Sequence, residues 1–140
     1  MANRKRVLIL CTGNSARSQM GEGLLRNDAG DRFEVSSAGT HPSHVRHEAI
    51  AVMREIGIDI SKQRSKSVGE FDGEEFDYVL TVCDQALEAC PLYPGHGRRL
   101  HQSFPDPAAI KGSEEERLNA FRKVRDEIRS YLQHFPVQSD

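Results

Sequence analysis

Tryptophan is absent, and aromatic residues make up only 6% of the 140 positions, so a wide aromatic slot for a ring-bearing substrate is poorly supplied. No apolar run is long enough to cross a bilayer. The basic start is followed by apolar residues only from Val7 to Leu10, too few for a signal peptide, and a cytoplasmic protein is expected. Neither sign of charge dominates: 19 basic against 21 acidic residues leave −2, which argues against a nucleic-acid partner. There is no Cys-x-x-Cys pair, so a structural zinc site is not expected. No repeat, low-complexity tract or linker interrupts the chain, and residues 1–140 are expected to form one domain with a core of its own.

Three cysteines are present, Cys11, Cys83 and Cys90. An odd number in a reducing compartment points to reactivity, metal binding or plain burial. The simplest reading of any one of them is a small buried hydrophobe, and context decides.

Val7-Leu8-Ile9-Leu10 has the unbroken apolar character of a strand buried on both faces. Ser18 to Ala29 reads as a helix, with Gly30 as its stop. Phe33 to Ala38 is a second strand. His47 to Ile56 is helical, with Ala49, Val52, Met53 and Ile56 on one face and Gly57 as its close. Tyr78 to Val82 is a third strand, and a weak fourth lies near Arg99 to His101. Ser113 and Glu116 form a capping box for a long last helix with the stripe Phe121, Val124, Ile128, Leu132 and Phe135. The alternation predicts an α/β fold: a central four-stranded parallel sheet flanked by helices, joined by right-handed crossovers. Ligands of such sheets sit at the carboxyl ends of the strands, where both Cys11 and Cys83 fall.

The most informative segment is Cys11-Thr12-Gly13-Asn14-Ser15-Ala16-Arg17-Ser18. It joins a strand to a helix through a short polar loop. Such a loop can aim successive backbone N–H groups of Thr12, Gly13, Asn14, Ser15 and Ala16 at one point, reinforced by the helix N-terminus. Arg17 adds a planar fork suited to two oxygens of a tetrahedral oxyanion. A cysteine at the base of that cradle has its thiolate stabilised by the same donors, and Ser18 can donate one more hydrogen bond to the sulfur. Nucleophile and anion hole are then one object. The loop is not a nucleotide-binding Walker A loop, because no Gly-Lys-Ser/Thr follows. Asp106, before Pro107, is a candidate general acid or a simple turn residue. His41, His44 and His47 recur every third residue but are broken by Pro42, and read as solvated loop residues rather than metal ligands.

Cys-x5-Arg-Ser closely resembles the signature loop of low-molecular-weight protein tyrosine phosphatases. CTGNSARSQMGEG, SSAG at 36–39, GIDIS at 57–61, FPDPA at 104–108 and VRDEI at 124–128 are similar to the thioredoxin-coupled arsenate reductases built on that fold. The resemblance implies that Cys11 attacks arsenate, that Arg17 and the loop hold its oxygens, and that Asp106 helps a hydroxyl or water leave. It further implies a relay in which Cys83 attacks Cys11, Cys90 attacks Cys83, and the final Cys83–Cys90 disulfide passes to thioredoxin. That pair matches at VCDQALEACP. No cofactor or metal is implied, phosphate or sulfate can stand in for arsenate, and a monomer with no membrane partner is expected. The other reading is a low-molecular-weight phosphatase in which Cys83 and Cys90 are core or redox protection. Ala108 stands where such phosphatases commonly carry an aromatic residue.

Two consequences are particular to this chain. Were Cys83 to Cys90 helical when reduced, the thiols would lie roughly 10 Å apart along the axis, whereas a disulfide needs Cα atoms within about 7 Å. Oxidation then requires unwinding. Some relatives hold potassium near the loop. Asn14, Glu22 and Ser37 match three of its ligand positions, and Lys66 occupies the fourth, so its ammonium is expected to stand in for the cation.

Overall fold

The protein is described here from a computed structural model, covering residues 4–71, 73–82 and 98–135. The chain order is β1 (Lys5–Cys11), α1 (Arg17–Ala29), β2 (Phe33–Gly39), α2 (His47–Arg54), β3 (Tyr78–Thr81), β4 (Arg98–His101) and α3 (Glu114–Leu132). Short 3-10 turns lie at Val68–Phe71 and Pro107–Ala109. The strands form one sheet in the order β2-β1-β3-β4, and every neighbouring pair is parallel. The expected four-stranded parallel sheet flanked by helices is therefore the fold. Because β2 and β3 lie on opposite sides of β1, the strand order reverses there, which opens a crevice at the carboxyl end of β1.

Val7, Leu8, Ile9 and Leu10 have no exposed surface. Successive strand residues point to opposite faces, so both faces of β1 are covered. Each of these side chains contributes roughly 1.5–3 kcal/mol of burial. The strand runs beyond the apolar run at both ends, because its pairing with β2 continues from Lys5↔Phe33 to Cys11↔Gly39. Backbone pairing does not require apolar side chains: Arg6 lies over the Phe76 ring, 4.5 Å from its centre, and binds Glu74.

The helix ends differ in mechanism. Regular α2 stops at Arg54, and the expected end at Ile56 and Gly57 is a Schellman turn. Gly57 has φ +82° and donates to the Arg54 carbonyl, while Ile58 donates to that of Met53. Gly30 ends α1 without adopting left-handed backbone (φ −64°). Its glycine is needed for proximity instead, since a Cβ there would lie 2.4 Å from the Arg26 carbonyl oxygen. At α3 both capping-box bonds are present: Ser113 Oγ accepts from Glu116 N at 3.2 Å, and Glu116 Oε1 accepts from Ser113 N at 2.9 Å.

α3 buries Phe121, Val124, Ile128 and Leu132, as its spacing predicts. Arg125 is buried in the same face because its guanidinium donates to the Val52 carbonyl (2.8 Å) and Glu55 (3.0 Å), which ties α3 to α2. Arg129 clasps Asp28 of α1 through two bonds of 2.9 Å. These bonds to Arg129 hold the Asp28 carboxyl below its ordinary value, against the opposing effect of burial. A lowered carboxyl pKa stabilises the fold above the unfolded value and ceases to do so as pH falls through the folded one. Asp28→Asn should therefore cost about 0.5–1 kcal/mol at pH 7. The difference from wild type should disappear in strong acid, below both pKa values, as urea unfolding at the two pH values would report.

Candidate active site

Cys11, the last residue of β1, is buried at the switch point of the sheet. From there to Ala16, every carbonyl oxygen is claimed from outside the loop. Thr40 N donates to Cys11 O (3.3 Å), His41 N to Thr12 O (2.8 Å), Ser43 N to Gly13 O (3.1 Å), Arg46 N to Ser15 O (3.0 Å) and Met20 N to Ala16 O (2.9 Å). The Asn14 carbonyl accepts from Gln19 Nε2 at 3.0 Å, and Ser65 Oγ adds a second bond to Gly13 O. In a trans peptide the N–H points opposite to the preceding carbonyl. Carbonyls held outward thus turn the following N–H groups to the inner side. Those of residues 13–16 donate to no acceptor among the described residues. α1 also begins without a side-chain cap, so its first N–H groups carry the helix-end partial charge towards the same place.

The curl depends on Asn14, the one non-glycine residue with positive φ (+47°) among those described. Asparagine tolerates this conformation better than most residues. Its side chain is fully buried and fully bonded. Nδ2 donates to Ser18 Oγ (2.8 Å) and Ser37 Oγ (3.0 Å), while Oδ1 accepts from Gln19 Nε2 and Lys66 N (2.9 Å each). The side chain therefore braces the loop from behind, leaving only the backbone of Asn14 to face a ligand. Gly39 supplies the space: a Cβ there would sit 2.6 Å from Thr12 O and 2.9 Å from Asn14 N.

Ser37 passes the network on by donating to buried Glu22 Oε1 at 2.5 Å, and Glu22 also binds Arg26. Arg26 in turn donates to the Val35 carbonyl of β2 at 2.7 Å. Lys66 Nζ lies 3.8 Å from Glu22 Oε1 and donates to the Arg64 carbonyl at 3.1 Å. Burial pushes the Lys66 ammonium below its ordinary pKa, and Glu22 opposes that shift. Three of the four residues matched to a cation site are thus linked directly, with an ammonium at their edge.

Arg17 opens α1 and is largely buried. Its Nη1 donates to the Phe104 carbonyl at 2.9 Å, and its Nη2 lies 3.8 Å from Asp106 Oδ2. Its Nε is buried and has no hydrogen-bond partner among the described residues. Asp106 also caps the following 3-10 turn through Oδ1 and Ala108 N (3.0 Å), so the turn role and the site position coexist. The loop after β4 delivers it: Gln102 N and Phe104 N bind the carbonyls of Thr81 and Val82. Cys11, Thr12, Gly13, Asn14, Ser15, Ala16, Arg17, Ser18 and Asp106 are therefore gathered at one edge of the sheet. Cys83 and Cys90 lie outside the described residues. His41, His44 and His47 are exposed, and no group of three His, Cys, Asp or Glu residues among those described is placed to hold a metal ion.

Sequence reasoning did not find Gln19, the packing role of Gly39 or the Phe104 carbonyl. Buried glutamine in a helix carries little signal, and a backbone carbonyl carries none. Gly39 lies in the SSAG stretch at 36–39, but the backbone it packs against belongs to Thr12 and Asn14, far earlier in the chain.

The model of the family described as low molecular weight phosphotyrosine protein phosphatase matches residues 6–138. A protein of Halalkalibacterium halodurans named arsenate reductase is 43% identical over 133 residues, covering 95% of this chain and 96% of its own. A Bacillus subtilis protein of the same name is 43% identical over 131 residues, covering 94% of each chain. Among solved structures, one described as an arsenate reductase in oxidized state superposes with a TM-score of 0.77 at 30% identity, covering 93% of this chain and 95% of that one. A low molecular weight protein tyrosine phosphatase from T. tengcongensis gives 0.73 at 28% identity, covering 92% and 95%. With its loop between β1 and α1 turning backbone N–H groups inward and a match spanning nearly its whole length, the chain belongs to the low molecular weight phosphotyrosine protein phosphatase family.

Proposed function

We propose that the chain reduces arsenate to arsenite in the cytoplasm. The observation that carries this reading is the polarity of residues 11–16: their carbonyls are all held outward, above a buried cysteine and beside an arginine with an unsatisfied Nε. That is a receptor for a small tetrahedral anion set over a nucleophile. Relatives named arsenate reductase at 43% identity support the choice of anion.

The loop N–H groups and Arg17 hold three oxygens, and the Cys11 thiolate attacks arsenic in line with the fourth. Ser18 Oγ accepts from Asn14, which leaves its own proton to donate to the sulfur. A bond forms between Cys11 Sγ and arsenic; one arsenic–oxygen bond breaks, and Asp106 supplies the proton that lets the oxygen leave as water. Cys83 then attacks Cys11 Sγ. A disulfide forms, the sulfur–arsenic bond breaks, and its electron pair stays on arsenic, which departs as arsenite. Cys90 attacks Cys83 and releases the Cys11 thiolate. Thioredoxin reduces the Cys83–Cys90 disulfide, so two electrons enter per arsenate reduced. The same cradle and Asp106 serve slow phosphate ester hydrolysis. This second reading is favoured by the 3.8 Å approach of Asp106 to Arg17.

Three outcomes are expected. With thioredoxin, its reductase and NADPH, arsenate-dependent NADPH oxidation should continue in wild type and stop after about one turnover in Cys90→Ser; sustained turnover by the variant would sink the relay. Gly39→Ala should weaken phosphate binding by about tenfold or more while thermal unfolding stays cooperative, since its Cβ meets backbone rather than a mobile side chain. Replacing sodium by potassium at constant ionic strength should leave turnover and Tm unchanged, because Lys66 stands beside Glu22. A rise specific to potassium contradicts that assignment.

A further inference from the structure

We infer that Gln19, held by Gln63, is a positioning residue that fixes the Asn14–Ser15 peptide of the anion loop and thereby sets the ionisation of Cys11. The inference rests on the proposed oxyanion cradle.

Gln19 is fully buried in the first turn of α1. Its Nε2 faces three oxygens: Asn14 O at 3.0 Å, Asn14 Oδ1 at 2.9 Å and Arg64 O at 2.9 Å. Three acceptors around one atom leave no choice of amide orientation, because an oxygen there would repel all of them. Gln63 fixes the other end, its Nε2 donating to Gln19 Oε1 at 2.7 Å and to Gln19 O at 3.1 Å. Gln63 Oε1 accepts from Arg26 Nη1 at 3.3 Å, which anchors the relay at the surface.

The chemistry follows from the peptide plane. The Asn14 carbonyl and the Ser15 N–H belong to one peptide and point in opposite directions. Holding the carbonyl outward holds the Ser15 N–H inward. Among the described residues, this is the only one of the six loop carbonyls held by a side chain and no backbone donor. It also belongs to the left-handed residue, a conformation that persists only while its surroundings hold it. Without Gln19 the peptide is free to turn its carbonyl to the inner side. A donor to the anion and to the thiolate then becomes an acceptor that repels both. No contact between Gln19 and substrate is involved.

The test combines Gln19→Glu, Gln19→Leu and Gln63→Leu with two readouts that do not require arsenate turnover. These are calorimetric titration with inorganic phosphate, and the pH dependence of iodoacetamide alkylation at the Cys11 peptide, followed by mass spectrometry. Gln19→Glu presents a carboxylate to three oxygens, so phosphate affinity at pH 8 should fall at least about tenfold and recover partly at lower pH as the carboxyl gains a proton. Gln19→Leu should fall similarly without the recovery. Gln63→Leu, at a partly exposed position, should lose about two- to fivefold. In all three the Cys11 thiol pKa should rise. Should buried-site variants fail to fold, Gln63→Leu decides the matter alone. Folded variants with wild-type phosphate affinity and thiol pKa overturn the inference while leaving the cradle intact. Wild-type protein that binds no phosphate overturns the cradle and this inference together.

Discussion

Backbone polarity is the constraint on which the functional edge of this protein depends. A peptide loop can present N–H groups to a ligand only if its carbonyls are satisfied elsewhere. Residues 11–16 meet that condition by drawing donors from four places: the strand-to-helix connection at 40–46, the segment around Ser65, the α1 backbone and the Gln19 side chain. Left-handed backbone at Asn14 provides the bend, and four side-chain bonds hold the residue there. None of these donors is itself reactive. The groups proposed to react, Cys11 and Arg17, stand at the two ends of the loop and inherit their geometry from it.

Sheet topology and polar network divide the work. Parallel pairing of β1 with β2 and β3 fixes where Cys11 ends, and apolar burial of Val7 to Leu10 keeps that end from moving. Behind the loop, a connected set of buried polar groups joins Asn14 to Ser18, Gln19 and Ser37 and runs on through Ser37 to Glu22, which binds the exposed Arg26. Buried polar groups are costly when half satisfied and rigid when complete. Here the Asn14 amide uses all of its donors and acceptors, whereas Arg17 Nε, at the site, has no partner among the described residues.

Much of this was readable in the sequence, unevenly and for identifiable reasons. The apolar run of β1, the loop and the start of α1 are contiguous, so strand, turn and helix appeared together. The capping box of α3 needs only Ser113 and Glu116, three positions apart. The fourth strand was barely visible because Arg98 to His101 contains a single apolar residue and exists as a strand only through its pairing with β3. Gly30 stops its helix as the sequence implies, but by relieving a close approach to Arg26 rather than by the left-handed turn that Gly57 makes. Arg125 sits in an apolar stripe and looks misplaced until the Val52 carbonyl and Glu55 are brought to it. Long-range carbonyl acceptors leave no trace in side-chain identity, which is why the donors behind the loop emerged only from the fold.

Arg26 has an effect beyond the network it closes. β2 is an outer strand of the sheet, and its unpaired backbone side offers other chains a template for edge-to-edge aggregation. The Arg26 guanidinium covers the Val35 carbonyl in the middle of that strand, and Gly39 N is taken by the Lys66 carbonyl near its end. A charged group bound across the border breaks the regular ladder an incoming strand would need. The arginine that neutralises Glu22 beneath the loop thus also guards the margin of the sheet against self-association.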